Sequence, residues 1–208
     1  MNPIMPYTNY KQYKIGKYTT SNIEIMDLLK AWIIVAVAFA IVYAGLNFNL
    51  NFLVFLAASA IAVGSGFIFH EMAHKIVAQR YGCWAEFRSD MTMLIIALFM
   101  AILLRVVFAA PGAVMIGGGH VDTKRNGIIS IAGPATNFIL ALIFLAGNFL
   151  LPNIIFSYGF FINAWLGLFN LIPFAFFDGA KIWRWNKPVW IIAVAIGVVL
   201  VFFNSFKF

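Results

Sequence analysis

Apolar residues run through this chain in long blocks, not in the period-2 or one-faced patterns of soluble strands and helices. Ala31–Leu46, Phe52 to about Ala78, Ile128–Leu150, Ile154–Phe174 and Val189–Phe203 are apolar nearly all round. Each is long enough, or nearly so, to cross about 30 Å of hydrocarbon as a helix. Ser21-x-x-Glu24 is a capping-box pattern and Asp27 adds an acid suited to a first turn, so a helix is expected to begin near Asn22. The last block is short, and Trp183, Trp185 and Trp190 read as interfacial anchors for it. The pattern predicts an all-α polytopic membrane protein with about five full spans.

Met91–Ala110 is apolar too, and would make a sixth span if it crossed once. The charges argue against that. Lys11, Lys14, Lys17 and Lys30 precede the first block, Asn47–Asn51 is uncharged, and Lys75, Arg80 and Arg88 follow the second. Positive residues collect on the cytoplasmic side, which gives a cytoplasmic N-terminus and an outer turn at 47–51. If 91–110 enters and leaves on one side, Lys124, Arg125, Lys181, Arg184 and Lys187 are cytoplasmic as well. Arg105, Pro111-Gly112 and Gly117-Gly118-Gly119 also suit a broken, re-entrant hairpin shielded by protein.

Composition agrees. The chain of 208 residues is 63% hydrophobic and 10% charged, with mean hydropathy +0.94; a soluble domain is nearer half apolar. Its net charge of +7 lies in short loops between apolar blocks and signals orientation, not nucleic-acid binding. The single Cys83 excludes a disulfide and a cysteine metal site. The 23 Phe read as lipid-facing and packing surface. No cleavable signal peptide is expected, because the first 30 residues are polar and aromatic. Residues 1–30 read as a cytoplasmic segment and 31–208 as one transmembrane domain, with the lipid bilayer as its first partner.

The chemistry sits at the end of the second block, in His70-Glu71-Met72-Ala73-His74. Histidines at i and i+4 share a helical face and can hold one zinc ion, while Glu71 can take a proton from water at the ion. Ionisable groups on an apolar span are functional by default. Catalytic zinc sites generally use a third protein ligand. The candidates are Glu24, Asp27, Glu86, Asp90, His120, Asp122 and Asp178. Asp178 stands out, since it follows an apolar stretch bent by Pro173, where a cation would relieve the cost of a buried carboxylate. The alternative is a salt bridge to Lys181 or Arg184. His120 reads as a loop residue or an outer partner of the site.

Three motifs then resemble the site-2 protease family of intramembrane zinc metalloproteases: H-E-x-x-H at 70–74, Gly133-Pro-Ala-Thr-Asn137, and N-x-x-P-x-x-x-x-D-G at 170–179. Together they cover a core of about residues 60–185. The resemblance implies one Zn2+ per chain held by His70, His74 and Asp178, with Glu71 as general base. It implies that Asn170 stabilises the oxyanion or holds substrate, and that Gly133 and Asn137 shape the peptide cleft. The implied substrate is a transmembrane protein, cut at a site open to the cytoplasmic side of, in the first instance, the cell membrane. The Gly-rich stretch 111–119 could offer a strand edge to an extended substrate. Two features depart from the family pattern: the apolar insertion at 91–110, and the absence of a visible PDZ or CBS domain. A small-residue packing role for Gly133 and Asn137 stays open. So do a non-proteolytic zinc-binding or zinc-transport protein and an inactive relative that scaffolds membrane partners.

Overall fold

The computed structural model describes residues 11–107, 111–119, 121–174 and 177–205, the last three without their side chains. Two compact units emerge, one of Met1–Ala60 with Ala78–His120 and one of Ile61–Val77 with Val121–Phe208.

In the first unit, strands β1 (Gln12–Ile15) and β2 (Tyr18–Ser21) pair antiparallel and lead into helix α1 (Asn22–Ala44). The helix starts where the capping pattern predicts: the Ser21 side chain accepts from the Glu24 amide. Glu24 also serves a tertiary contact, accepting from the Phe87 amide at 2.9 Å and from Thr20 Oγ1 at 2.6 Å. Strand β3 (Trp84–Ser89) pairs antiparallel with β4 (Gly112–Gly117). From the end of that pair emerges α4 (Met91–Leu104), N-capped by Asp90. Its buried Leu94, Ala97 and Ala101 lie on one face at helical spacing, and Ala101 packs with Ala38, Ala40, Ile41 and Phe52.

Two expectations meet the structure here. The chain is mostly helical, as expected, and the all-α expectation is modified by four short strands that form two antiparallel pairs among the described residues. The β3–β4 pairing is non-local and Ala85, Glu86 and Phe87 are all fully buried, so no period-2 alternation marks the strand. The Asp90 amide donates to the Pro111 carbonyl at 2.9 Å, so the two residues that flank the segment 91–110 lie side by side. The 14 residues of α4 rise only about 21 Å, and Arg105 then turns the chain with φ 56° while its Nη1 donates to the Ile41 carbonyl at 2.8 Å.

In the chain, α2 (Leu50–Val63), a π-helical turn (Gly64–Ile68) and α3 (Phe69–Arg80) follow without a break, 31 residues in all. The second unit takes the π turn, most of α3, α5 (Thr123–Leu150), α6 (Ile154–Phe169), α7 (Asp178–Trp185) and α8 (Lys187–Ser205). Its core is Phe138, Ala141, Phe160, Ala164, Leu171, Ile182, Ala193 and Leu200. Among the described residues three helices are long and apolar enough to cross a membrane: Asn22–Ala44, Leu50–Arg80 and Thr123–Leu150. The block expected to run to Phe174 ends as helix at Phe169. Pro173 disfavours helical backbone before it, and Asn170 caps the end.

Candidate metal centre

Helix α3 supplies His70 and His74, whose Nε2 atoms lie 3.0 Å apart. Asp178, the first residue of α7, turns Oδ2 to both, 3.3 Å from His70 Nε2 and 3.0 Å from His74 Nε2. All three residues are buried, and among the described residues they are the one group of three potential metal ligands. Tetrahedral ligands at zinc bond lengths stand about 3.3–3.4 Å apart, so the triangle is within a few tenths of an ångström of what zinc needs.

The outer bonds of the two rings fix which atoms face inward. His74 Nδ1 lies 2.7 Å from the Ile129 carbonyl, a pure acceptor, so that nitrogen carries the hydrogen. His70 Nδ1 lies 2.5 Å from Asn137 Oδ1. Asn137 spends its NH2 on the Gly66 carbonyl at 3.0 Å and Asn163 Oδ1 at 3.2 Å, which leaves its oxygen to accept from His70. In the neutral rings both Nε2 atoms therefore present lone pairs, toward a carboxylate that is itself an acceptor. Three acceptors converge with no donor among them. Such a set fits a divalent cation.

The carboxylate asks for the same thing. Burial alone would raise the Asp178 pKa, but the electrostatic and hydrogen-bonding contacts with the His74 and His70 rings outweigh it and hold the group well below the usual carboxylate range. Lys181 contacts the other oxygen, Oδ1, at 3.4 Å, so the alternative partner read from the sequence is present as well, on the side away from the histidines. Glu71 is buried beside the trio and within electrostatic reach of Asp178 and Lys181.

The remaining predicted residues divide. Gly133 lies directly against the trio: a Cβ there would come within 2.4 Å of His74 Nε2 and 2.6 Å of His70 Nε2, so no side chain fits. Asn137 holds His70. These contacts belong to the metal centre, where the sequence suggested a peptide cleft. Asn170 donates Nδ2 to the Leu166 carbonyl at 2.9 Å, and its own carbonyl accepts from the Gly179 amide at 2.7 Å, tying down the start of α7. Of the other candidate ligands, Asp90 and Asp122 cap α4 and α5, Glu24, Asp27 and Glu86 belong to the first unit, and His120 lies outside the described residues. Sequence reasoning missed Asn163 and the Gly66 and Ile129 carbonyls. Asn163 had a signal, a lone amide within the apolar run Ile154–Phe169.

The comparisons agree with this chemistry. Putative zinc metalloprotease MJ0611 of Methanocaldococcus jannaschii is 43% identical over 176 residues, covering 81% of this chain and 87% of its own length. Putative zinc metalloprotease Rip3 of Mycobacterium tuberculosis is 31% identical over 137 residues, 62% of this chain and 30% of its own length. No family model and no solved structure matches. Two imidazoles, a carboxylate and an adjacent glutamate define the class, a zinc-dependent hydrolase centre. The chain belongs to the zinc metalloprotease family of these relatives, in keeping with the site-2 protease resemblance of its three motifs, and its cofactor is zinc.

Proposed function

We propose that this protein is an intramembrane zinc metalloprotease of the site-2 type, cutting peptide bonds in or near the transmembrane segments of other proteins. The observation that carries the reading is the convergence of three lone-pair donors beside Glu71, on a continuous apolar helix of 31 residues. His70, His74 and Asp178 would hold the ion. Zinc in this site supplies Lewis acidity that polarises the scissile carbonyl and makes water a better acid. The Glu71 carboxylate takes a proton from the attacking water and returns it to the departing amine nitrogen. Lys181 keeps Asp178 Oδ1 engaged, which favours ligation through one oxygen and leaves room for substrate. Asn170, at the turn before α7, is the residue we assign to the oxyanion or to substrate.

For topology we retain five spans and a re-entrant hairpin at 91–110, with the N-terminus and the opening of the site cytoplasmic. The hydrogen bond that closes the excursion at Asp90 and Pro111 supports it, as do the Lys and Arg positions. Strand β4, paired on one edge with β3, is the candidate surface for an unwound substrate segment. Cysteine labelling in a Cys83→Ser background should find positions 123 and 186 on the cytoplasmic face and 49 outside; position 123 labelled from outside would overturn the hairpin.

The rival readings, a zinc carrier or an inactive scaffold, have no use for Glu71. In a Glu71→Gln protein zinc should stay bound while cleavage of single-span peptides in liposomes falls by orders of magnitude, because the water then lacks its base. Wild type that is fully zinc-loaded yet cuts no member of a diverse peptide set would remove the protease reading. Equal rates in wild type and Glu71→Gln would remove the mechanism.

A further inference from the structure

Asn163 is the most deeply placed polar side chain of α6, at 0% exposure in a largely apolar helix. It touches none of the three ligands. Its Nδ2 donates to the Gly159 carbonyl at 2.8 Å, one turn back in its own helix. A backbone carbonyl only accepts, so this bond fixes the amide: the NH2 faces Gly159 and Oδ1 faces the other way. There it accepts from Asn137 Nδ2 at 3.2 Å. The second hydrogen of that NH2 goes to the Gly66 carbonyl in the π turn, again a pure acceptor. A side chain on Gly66 would come within 2.9 Å of Asn163 Oδ1, so the π turn leaves just enough space for the amide.

We propose that Asn163 is a positioning residue of the zinc centre, which orients the Asn137 amide and through it decides which ring nitrogen of His70 faces the ion. The direction of every hydrogen bond in the chain Gly159–Asn163–Asn137–His70 follows from its first member. A flipped Asn137 would put two hydrogens toward His70 Nδ1, which could accept one of them and would then carry its own hydrogen on Nε2, where the metal belongs. Two acceptors hold the Asn137 NH2 in this sense, the Gly66 carbonyl and Asn163 Oδ1, and loss of Asn163 removes one of the two. The proposal rests on the zinc reading of His70, His74 and Asp178.

The test is zinc affinity by chelator competition, and the visible spectrum of the cobalt-substituted protein, on purified full-length chain. Asn163→Leu, close in volume, should weaken zinc about ten-fold and alter the cobalt spectrum, the size of effect known for outer partners of metal ligands. In an Asn137→Leu background the same change should cost less than about two-fold, because the route to His70 is already cut. Asn163→Asp, whose buried acid stays neutral and keeps one donor and one acceptor, should restore affinity to within about two-fold of wild type. Phe160→Leu, a core change in the same helix, should lower the unfolding temperature and leave affinity and spectrum alone. If Asn163→Leu does not fold, Asn163→Ser gives the same comparisons with a smaller disturbance. Equal losses in both backgrounds, a loss in Phe160→Leu that matches Asn163→Leu, or unchanged affinity in Asn163→Leu overturns the proposal. Wild type that binds no zinc overturns the metal reading instead.

Discussion

Each unit buries carboxylates, and their surroundings are opposite in kind. In the first, Glu86 is fully buried and its Oε2 accepts from Ser21 Oγ at 2.8 Å and Arg88 Nη2 at 2.6 Å. Glu24 beside it accepts from a backbone amide and a threonine hydroxyl. Hydroxyls, an amide and a guanidinium all bring hydrogens, so the protein itself neutralises these acids, and they tie the start of α1 to β3. Asp178, in the second unit, faces two ring nitrogens whose other nitrogens are already committed to acceptors. Burial therefore does not separate a structural acid from a functional one. The hydrogen inventory of the neighbours does: Glu86 Oε2 and Glu24 are met by donors, whereas Asp178 Oδ2 is met by ring nitrogens whose hydrogens are spent elsewhere.

Matched substitutions sharpen that contrast. Asp178→Ala should lower zinc affinity at least a hundred-fold, more than loss of an outer partner, with the fold retained when zinc content and circular dichroism are read together. Glu86→Ala should do the reverse, keeping one zinc per folded chain and costing about 2–3 kcal/mol of stability, because Ser21 and Arg88 lose a buried acceptor. If Glu86→Ala strips zinc, or Asp178→Ala unfolds the chain without changing its metal content, the contrast fails. Gly133→Ala ranks below Asp178→Ala, with an expected ten- to hundred-fold loss of zinc affinity. Its methyl group meets both Nε2 atoms at distances no pair of atoms tolerates, so the imidazoles or α5 must move. Unchanged affinity would mean that the helix shifts freely and that Gly133 is a packing residue.

Much of this was legible in the sequence because it is local. The His70–His74 spacing, the Ser21 cap and the long apolar blocks each depend on residues within a turn or two of one another. Asp178 was legible by scarcity, being an acid stranded after an apolar run. What the sequence concealed is non-local. Strand β3 finds its partner only beyond the whole of α4, and the buried Glu86 looks like a loop acid until Ser21 and Arg88 are seen on it. The role of Gly133 was hidden for a similar reason, since a small residue on an apolar helix reads as packing until the nearest atoms prove to be imidazole nitrogens. Asn163 and the carbonyls of Gly66 and Ile129 became visible only once bond partners were known.

The π turn at Gly64–Ile68 carries one residue more than an α turn would. Each α-helical residue advances the helix by about 100°, so the extra residue acts as a phase shifter between Ile61–Val63 and the His70–His74 segment. Loss of a single codon anywhere in that turn would allow an ordinary α turn to form, with every backbone amide satisfied and the apolar block barely shorter. The histidines would then point about a quarter turn away from Asp178. For this protein, the reading frame of the metal centre is written in the pitch of one turn, and a one-residue deletion there is a rotation before it is a loss.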